Sequence, residues 1–135
     1  MTLPGAGRSC RKERKVPDNV IQEKSFLFAL DIIDLYRRIQ NEREFVLSKQ
    51  LLRSGTSIGA NIEEAIAAQS RKDFISKMSI ATKEARETKY WLRLFRESAL
   101  VEIDVSKELA HVDELLRILS SIVMTTKQGT AIHNS

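Results

Sequence analysis

The stretch "RSGTSIGANIEEA", Arg53 to Ala65, decides how this chain is read. Gly55 and Gly59 stand four residues apart among small polar side chains. One reading is a loop that cradles phosphate; the other is a helix made of small residues for a packing reason. A phosphate loop of the P-loop kind needs Lys followed by Ser or Thr after its second glycine, whereas Ala60 and Asn61 follow Gly59. Helical periodicity passes straight through both glycines: Leu51, Gly55, Ile58, Ile62, Ile66 and Gln69 recur at three- and four-residue steps. Each glycine costs a helix about 1 kcal/mol relative to alanine. Close approach of a neighbouring helix is the natural offset, so Gly55 and Gly59 are expected at a tight helix–helix contact. The opposite side is also small, with Thr56, Ala60 and Ala67 beside Arg53. This helix is therefore expected to pack on two faces.

Working outward, Ser48 is placed to cap the start of this helix, with Leu47 and Leu52 as a hydrophobic staple, and the periodicity runs to about Gln69. Upstream, beyond the polar break "NERE", a first helix spans about 19–40. Its apolar residues Ile21, Phe26, Phe28, Ala29, Leu30, Ile32, Ile33, Leu35, Tyr36 and Ile39 cover more than half the wheel; only Leu27, Asp31, Asp34 and Arg38 form a wet strip. A surface helix needs an apolar stripe of about a third of the wheel. The surplus predicts burial against a second subunit.

Downstream, Ser70 with Asp73 forms an acidic variant of the capping box and opens a third helix over 71–98, with Phe74, Met78, Ala81, Ala85, Thr88, Leu92 and Phe95 as its core stripe. Charge is sorted by flank on this helix. Lys72, Lys83, Arg86, Lys89, Arg93 and Arg96 lie on one side with Tyr90 among them, and Asp73, Glu84 and Glu87 on the other; Lys77 and Glu97 are exceptions. Such sorting suits head-to-tail assembly, with Glu84 and Glu87 as candidate subunit contacts, or a basic surface for nucleic acid, or simply a solvated helix. Asp104 is placed to cap a fourth helix over 104–127, with Val105, Leu109, Val112, Leu116, Leu119 and Val123 inward, widened by Leu115 and Ile122; 128–135 reads as a frayed tail. Four helices with short connections predict an all-α, antiparallel up-down-up-down four-helix bundle, and the apolar surplus of the first helix predicts that it is a homo-oligomer.

The 135 residues match one domain, 18–127, preceded by a basic leader, 1–17. Five of the 22 basic residues (Arg8, Arg11, Lys12, Arg14 and Lys15) and only one of the 18 acids, Glu13, fall in that leader, so the body is formally neutral despite a net charge of +4. The leader reads as a solvated, disordered segment, or as an arm for nucleic acid or an anionic surface. Cys10 is the sole cysteine, which rules out a disulfide framework or a cysteine-based zinc site and suits a reducing, cytoplasmic setting. The longest apolar run, "FLFAL" at 26–30, is far too short to cross a bilayer, and no apolar segment of a secretion signal follows the basic N-terminus.

Catalytic and metal constellations are not legible. A di-iron bundle site wants two Glu-x-x-His pairs plus two further glutamates. The chain offers one such pair, Glu108 and His111, both read as lying off the apolar stripe; the other histidine, His133, is in the tail. No nucleophile is paired with a base, so neither an enzyme nor a cofactor is expected.

Three segments carry a family resemblance: "EFVLSKQLLRSGTSIGANIEEA" at 44–65, "SRKDFISKMSIATKEARETKYWL" at 70–92 and "LLRILSSIVMTTK" at 115–127. They resemble the bacterial four-helix-bundle family named for proteins encoded in intervening sequences of 23S ribosomal RNA genes. The most specific parts are Ser57 to Ala65 and Ser70 to Phe74. Many members carry proline in place of Gly59 and glycine in place of Ala65, departures that alter the second helix locally. The resemblance implies an antiparallel bundle assembled as a ring, with a pentamer favoured, and no established enzymatic activity. The chain is also similar to the accessory proteins of diversity-generating retroelements, basic rings that bind a reverse transcriptase and nucleic acid; its neutral body departs from that subgroup.

The expected function is accordingly a non-catalytic, ring-forming interaction protein whose partner is a copy of itself, with RNA, DNA or another protein as further partners and no membrane. The alternative is a nucleic-acid-binding module acting through the leader and the flank of Lys83, Arg86, Lys89, Tyr90, Arg93 and Arg96. An undetected enzyme or metal protein is the third reading.

Overall fold

The computed structural model describes the backbone of residues 17–134 and the side chains of 20–129. The leader therefore lies outside the described residues, apart from Pro17. Four α-helices and no strand make up the described chain: α1 (Pro17–Asn41), α2 (Leu47–Ile66), α3 (Arg71–Ser98) and α4 (Ser106–Asn134). Each packs on its neighbour in sequence, and α1 also packs on α4, so the four enclose one core. Ile21, Phe28, Ile32, Leu35 and Ile39 of α1 meet Leu51, Ile58, Ile62 and Ala65 of α2. Met78, Ala81, Ala85, Leu92 and Phe95 of α3 and Val105, Leu109, Val112, Leu115 and Leu119 of α4 complete it.

Local chemistry explains the boundaries. Pro17 opens α1, where the missing N–H costs nothing and the fixed φ suits a helix. The chain leaves α1 through a tight turn in which Arg43 takes φ 65°, the left-handed region. That turn aims Glu44 at the start of α2. Its Oε2 accepts from the N–H groups of Val46 (2.9 Å) and Leu47 (2.8 Å), and its Oε1 from that of Ser48 (2.8 Å). The cap is thus Glu44 and not Ser48. Ser48 sits buried inside α2, accepting from Gln40 Nε2 at 2.7 Å. At its other end α2 stops at Ile66, short of Gln69. The expected stripe also rotates there: Ala65 is buried while Ile66 is about a third exposed.

Ser70 caps α3 as expected, its Oγ accepting from the Asp73 N–H at 3.0 Å. All seven residues of the expected α3 stripe face inward, with Phe74 only half-buried. Ala99 ends the helix in the left-handed conformation, φ 52°. Asp104 acts two residues before the start of α4, accepting from the N–H of Ser106 at 3.0 Å and from its hydroxyl at 2.8 Å. Rather than fraying at Lys127, α4 continues to Asn134: a single glycine, Gly129, is too weak a breaker to stop it. The α4 stripe buries Val105, Leu109, Val112 and Leu119 as expected, with a slight rotation towards Leu115, expected to widen the stripe, which is buried while Leu116 lies at the edge. The same rotation carries Glu108 into the interior.

Gly55 and Gly59 both lie in α2, as the periodicity requires. A Cβ at Gly55 would stand 2.8 Å from Ile32 Cγ2, so the helices approach more closely there than alanine permits. At Gly59 a Cβ would meet the Ser25 carbonyl oxygen at 3.5 Å, ordinary van der Waals contact. Only the first glycine is demanded by space.

Candidate functional site

Three surfaces carry chemistry. The first is the α3 flank singled out by charge. Lys83, Arg86, Tyr90, Arg93 and Arg96 are exposed, and Lys89 is half-buried. Two of the cations are engaged within the chain: Lys89 Nζ pairs with Asp113 of α4 at 2.8 Å, and Arg96 Nε with Glu97 at 2.8 Å. Lys83, Arg86 and Arg93 make no ion pair among the described residues. Tyr90, 52% exposed, lies between them on the same side of the helix and packs edge-on against Trp91, with ring centroids 5.4 Å apart.

The acidic flank has an in-chain partner. Arg53 of α2 donates to Glu84 Oε1 at 3.2 Å and to Glu87 Oε2, which also accepts from Trp91 Nε1 at 3.0 Å. The Arg53 hydrogen bond is the main reason the Glu87 carboxyl is held below its ordinary value; burial opposes it and Trp91 adds to it. The Arg53 guanidinium is correspondingly raised, chiefly by its hydrogen bond to Glu87. Beneath this network the Thr88 and Ser54 hydroxyls hydrogen-bond at 2.9 Å in the buried α2–α3 seam. Glu84 and Glu87 are thus spent on positioning α2 against α3 and Trp91 beside Tyr90.

The second surface is the outward face of α1. Phe26 (59% exposed), Leu27, Leu30 (48%) and Ile33 are all uncovered, with Val20 at the end. Beside it, Ala60 and Ala67 of α2 are exposed and Thr56 half-buried. This is the apolar surplus that the wheel of the first helix anticipates. Contiguous apolar surface of this kind is uncommon on a soluble monomer.

The third lies in the α1–α4 seam. Glu108, 1% exposed, has its Oε1 without a hydrogen-bond partner, and its Oε2 is 3.6 Å from Arg38 Nη2. Its placement corrects the sequence reading, which put Glu108 off the buried stripe. His111 Nδ1 approaches Asp31 at 3.5 Å, and Lys107 reaches the same carboxylate at 3.8 Å. No group of three or more His, Cys, Asp or Glu among the described residues is arranged to hold a metal ion. No helix of the described chain is long and apolar enough to cross a membrane.

Comparisons with known proteins give the family. No curated protein matches the chain. A crystal structure of a protein with unknown function from the S23 ribosomal protein family of Bacteroides thetaiotaomicron is similar, at 49% identity and a TM-score of 0.75, over 81% of this chain and 99% of that one. The family described as 23S rRNA-intervening sequence protein matches residues 17–121, all of α1 to α3 and half of α4. Gly55, Gly59 and most of the core fall inside that span, and the chain belongs to the 23S rRNA-intervening sequence protein family.

Proposed function

We propose that this protein is a non-catalytic, self-assembling interaction protein: an antiparallel up-down-up-down bundle that joins copies of itself into a ring, pentameric as the resemblance implies, in the cytoplasm. The antiparallel reading is supported by the order of the α1–α2 contacts: Gln22 with Glu63, Ser25 beside Gly59, Ile32 against Gly55 and Gln40 with Ser48. Residue numbers rise along one helix as they fall along the other. The observation that carries self-assembly is the uncovered α1 face, Phe26, Leu27, Leu30 and Ile33. Burying such side chains against a partner gains roughly 25 cal/mol per Å² of apolar area. The test is light scattering on a Phe26→Asp/Leu30→Asp variant beside the parent chain. The variant is expected to keep its helical circular dichroism and lose the assembled species; a variant that assembles like the parent removes α1 from the interface.

One observation favours a second reading. Lys83, Arg86 and Arg93 form an exposed row that makes no ion pair among the described residues, and the half-exposed Tyr90 stands among them. We propose RNA or DNA as the ligand this row serves, bound through phosphate contacts with one aromatic available for stacking. Lys83, Arg86 and Arg93 all changed to Glu should abolish binding of a labelled RNA in fluorescence anisotropy and leave the assembly intact. Absence of binding by the parent chain at about 50 mM salt, where counterion release favours it most, excludes nucleic acid.

A further inference from the structure

We infer that the α3 row takes a single strand of nucleic acid and not a duplex, with one base turned out onto Tyr90 and the phosphates on either side of it held by Arg86 and Arg93. The inference rests on the nucleic-acid reading above and adds the strandedness and the place of the base.

From Lys83 the row runs through Arg86, Tyr90 and Arg93 at steps of three and four, so all share one side of α3. Continued backwards through Ser79 and Ser76 at the same steps, it reaches Lys72, also exposed and without an ion pair among the described residues. No acid interrupts this line over about 30 Å of helix. Beyond Arg93 the line meets Glu97, which is paired with Arg96. Glu87 beside the line is held by Arg53 and Trp91, and Asp113 of α4 by Lys89.

Charge alone does not choose between one strand and two; Tyr90 does. Its ring is 52% exposed in the middle of the cations, one turn from Arg86 and one from Arg93. In a duplex the bases are paired and stacked inside, and a tyrosine on a helix surface meets only sugar and phosphate. A single strand can turn a base out onto an aromatic ring. Arg86 and Arg93 lie about 10 Å apart along the helix. Their long side chains can hold the two phosphates that flank one nucleotide and still leave its base room at the ring. The ring is also set in advance. Trp91 packs edge-on against it, with centroids 5.4 Å apart and planes at 64°, and Trp91 is fixed in turn by its Nε1 donating to Glu87, which Arg53 holds from α2. A platform already in place loses less freedom on binding. A chain of carboxylates satisfies the cations equally and leaves the ring unused, so the favoured ligand carries both phosphates and bases.

Trp91 is the one tryptophan of the chain, so its fluorescence reports events at Tyr90. The full chain is titrated at about 50 mM salt, where phosphate contacts are strongest, with oligouridine, oligothymidine, a duplex of the same length and polyglutamate. Both single strands are expected to bind and to change Trp91 emission. The duplex, which its charge density favours on electrostatics alone, is expected to bind about fivefold or more weakly. Tyr90→Ala should weaken single-strand binding about fivefold or more and leave its salt dependence unchanged, and Tyr90→Phe should bind like the parent. Arg86→Gln and Arg93→Gln should each lower the slope of log affinity against log salt by about 0.7. A duplex bound as tightly as either strand, or Tyr90→Ala without effect, overturns the single strand and leaves nucleic acid standing. Polyglutamate matching oligothymidine at equal charge replaces both with an acidic partner. No binding of any nucleic acid by the parent chain removes the inference together with the reading it rests on.

Discussion

A methyl group added at position 55 would stand 2.8 Å from Ile32 Cγ2, whereas one added at position 59 would meet backbone at 3.5 Å. The two glycines should therefore respond in opposite directions. Gly55→Leu overpacks the α1–α2 contact and should lower stability by about 1–3 kcal/mol. Gly59→Ala adds helix propensity at ordinary contact distance and should raise it by up to about 1 kcal/mol. Urea unfolding of the two variants checks both signs. Periodicity was enough to place both glycines in a helix, but which one space demands depends on the β-branched Ile32 facing one of them, a fact of the neighbouring helix. Glu108 illustrates a second limit. A glutamate in the first turn of a helix reads as solvated, and its burial follows from α4 turning Leu115, rather than Leu116, into the core. With Oε1 unpartnered and only one cation at 3.6 Å, Glu108→Met should raise stability by about 1 kcal/mol, since a buried polar atom without a hydrogen bond is costly; a loss of similar size would mean the carboxylate is needed for the fold.

Helix ends follow from particular side chains, and two of them make predictions about pH and strain. Burial pushes the Glu44 carboxyl upward, but hydrogen bonds from Leu47, Ser48 and Val46 outweigh it, and the net value is below the ordinary 4.5. A lowered folded-state value contributes stability above the ordinary one and loses it as pH falls through the folded value. Glu87, lowered by Arg53, acts with the same sign, as does Asp104, lowered first by the Ser106 hydroxyl and then by its N–H. The protein should accordingly lose stability below about pH 4.5, and Glu44→Gln should both destabilise it at neutral pH and shrink that acid-dependent loss. Loss of a helix cap costs about 1 kcal/mol. Denaturant melts at several pH values read both effects; an unchanged acid limb in the variant would assign it to other carboxylates. Ala99, at φ 52°, is strained as any residue with a Cβ is there, so Ala99→Gly should stabilise by up to about 1 kcal/mol. The Ser70 cap was legible because its partner lies three residues on. The Glu44 cap was not, because it needs the left-handed turn at Arg43 to bring the carboxylate round.

At the scale of the whole molecule, the apolar surplus on α1 was legible in the sequence because it needs only a wheel and a count of what one core uses. The sorting of charge along α3 was legible too, but its meaning was not. Arg53, on a different helix, takes Glu84 and Glu87 in the same chain, so the acidic flank holds α2 to α3. The row of Lys83, Arg86 and Arg93 is left facing solvent. A surface with cations on one side and an uncovered apolar stripe on another suits a protein that works by contact, with copies of itself first. Sedimentation equilibrium of the intact chain across the micromolar range tests that claim most directly. The account predicts a discrete species whose mass is a multiple of the 15.4 kDa chain and which persists on dilution; a single species of 15.4 kDa at every concentration would contradict it.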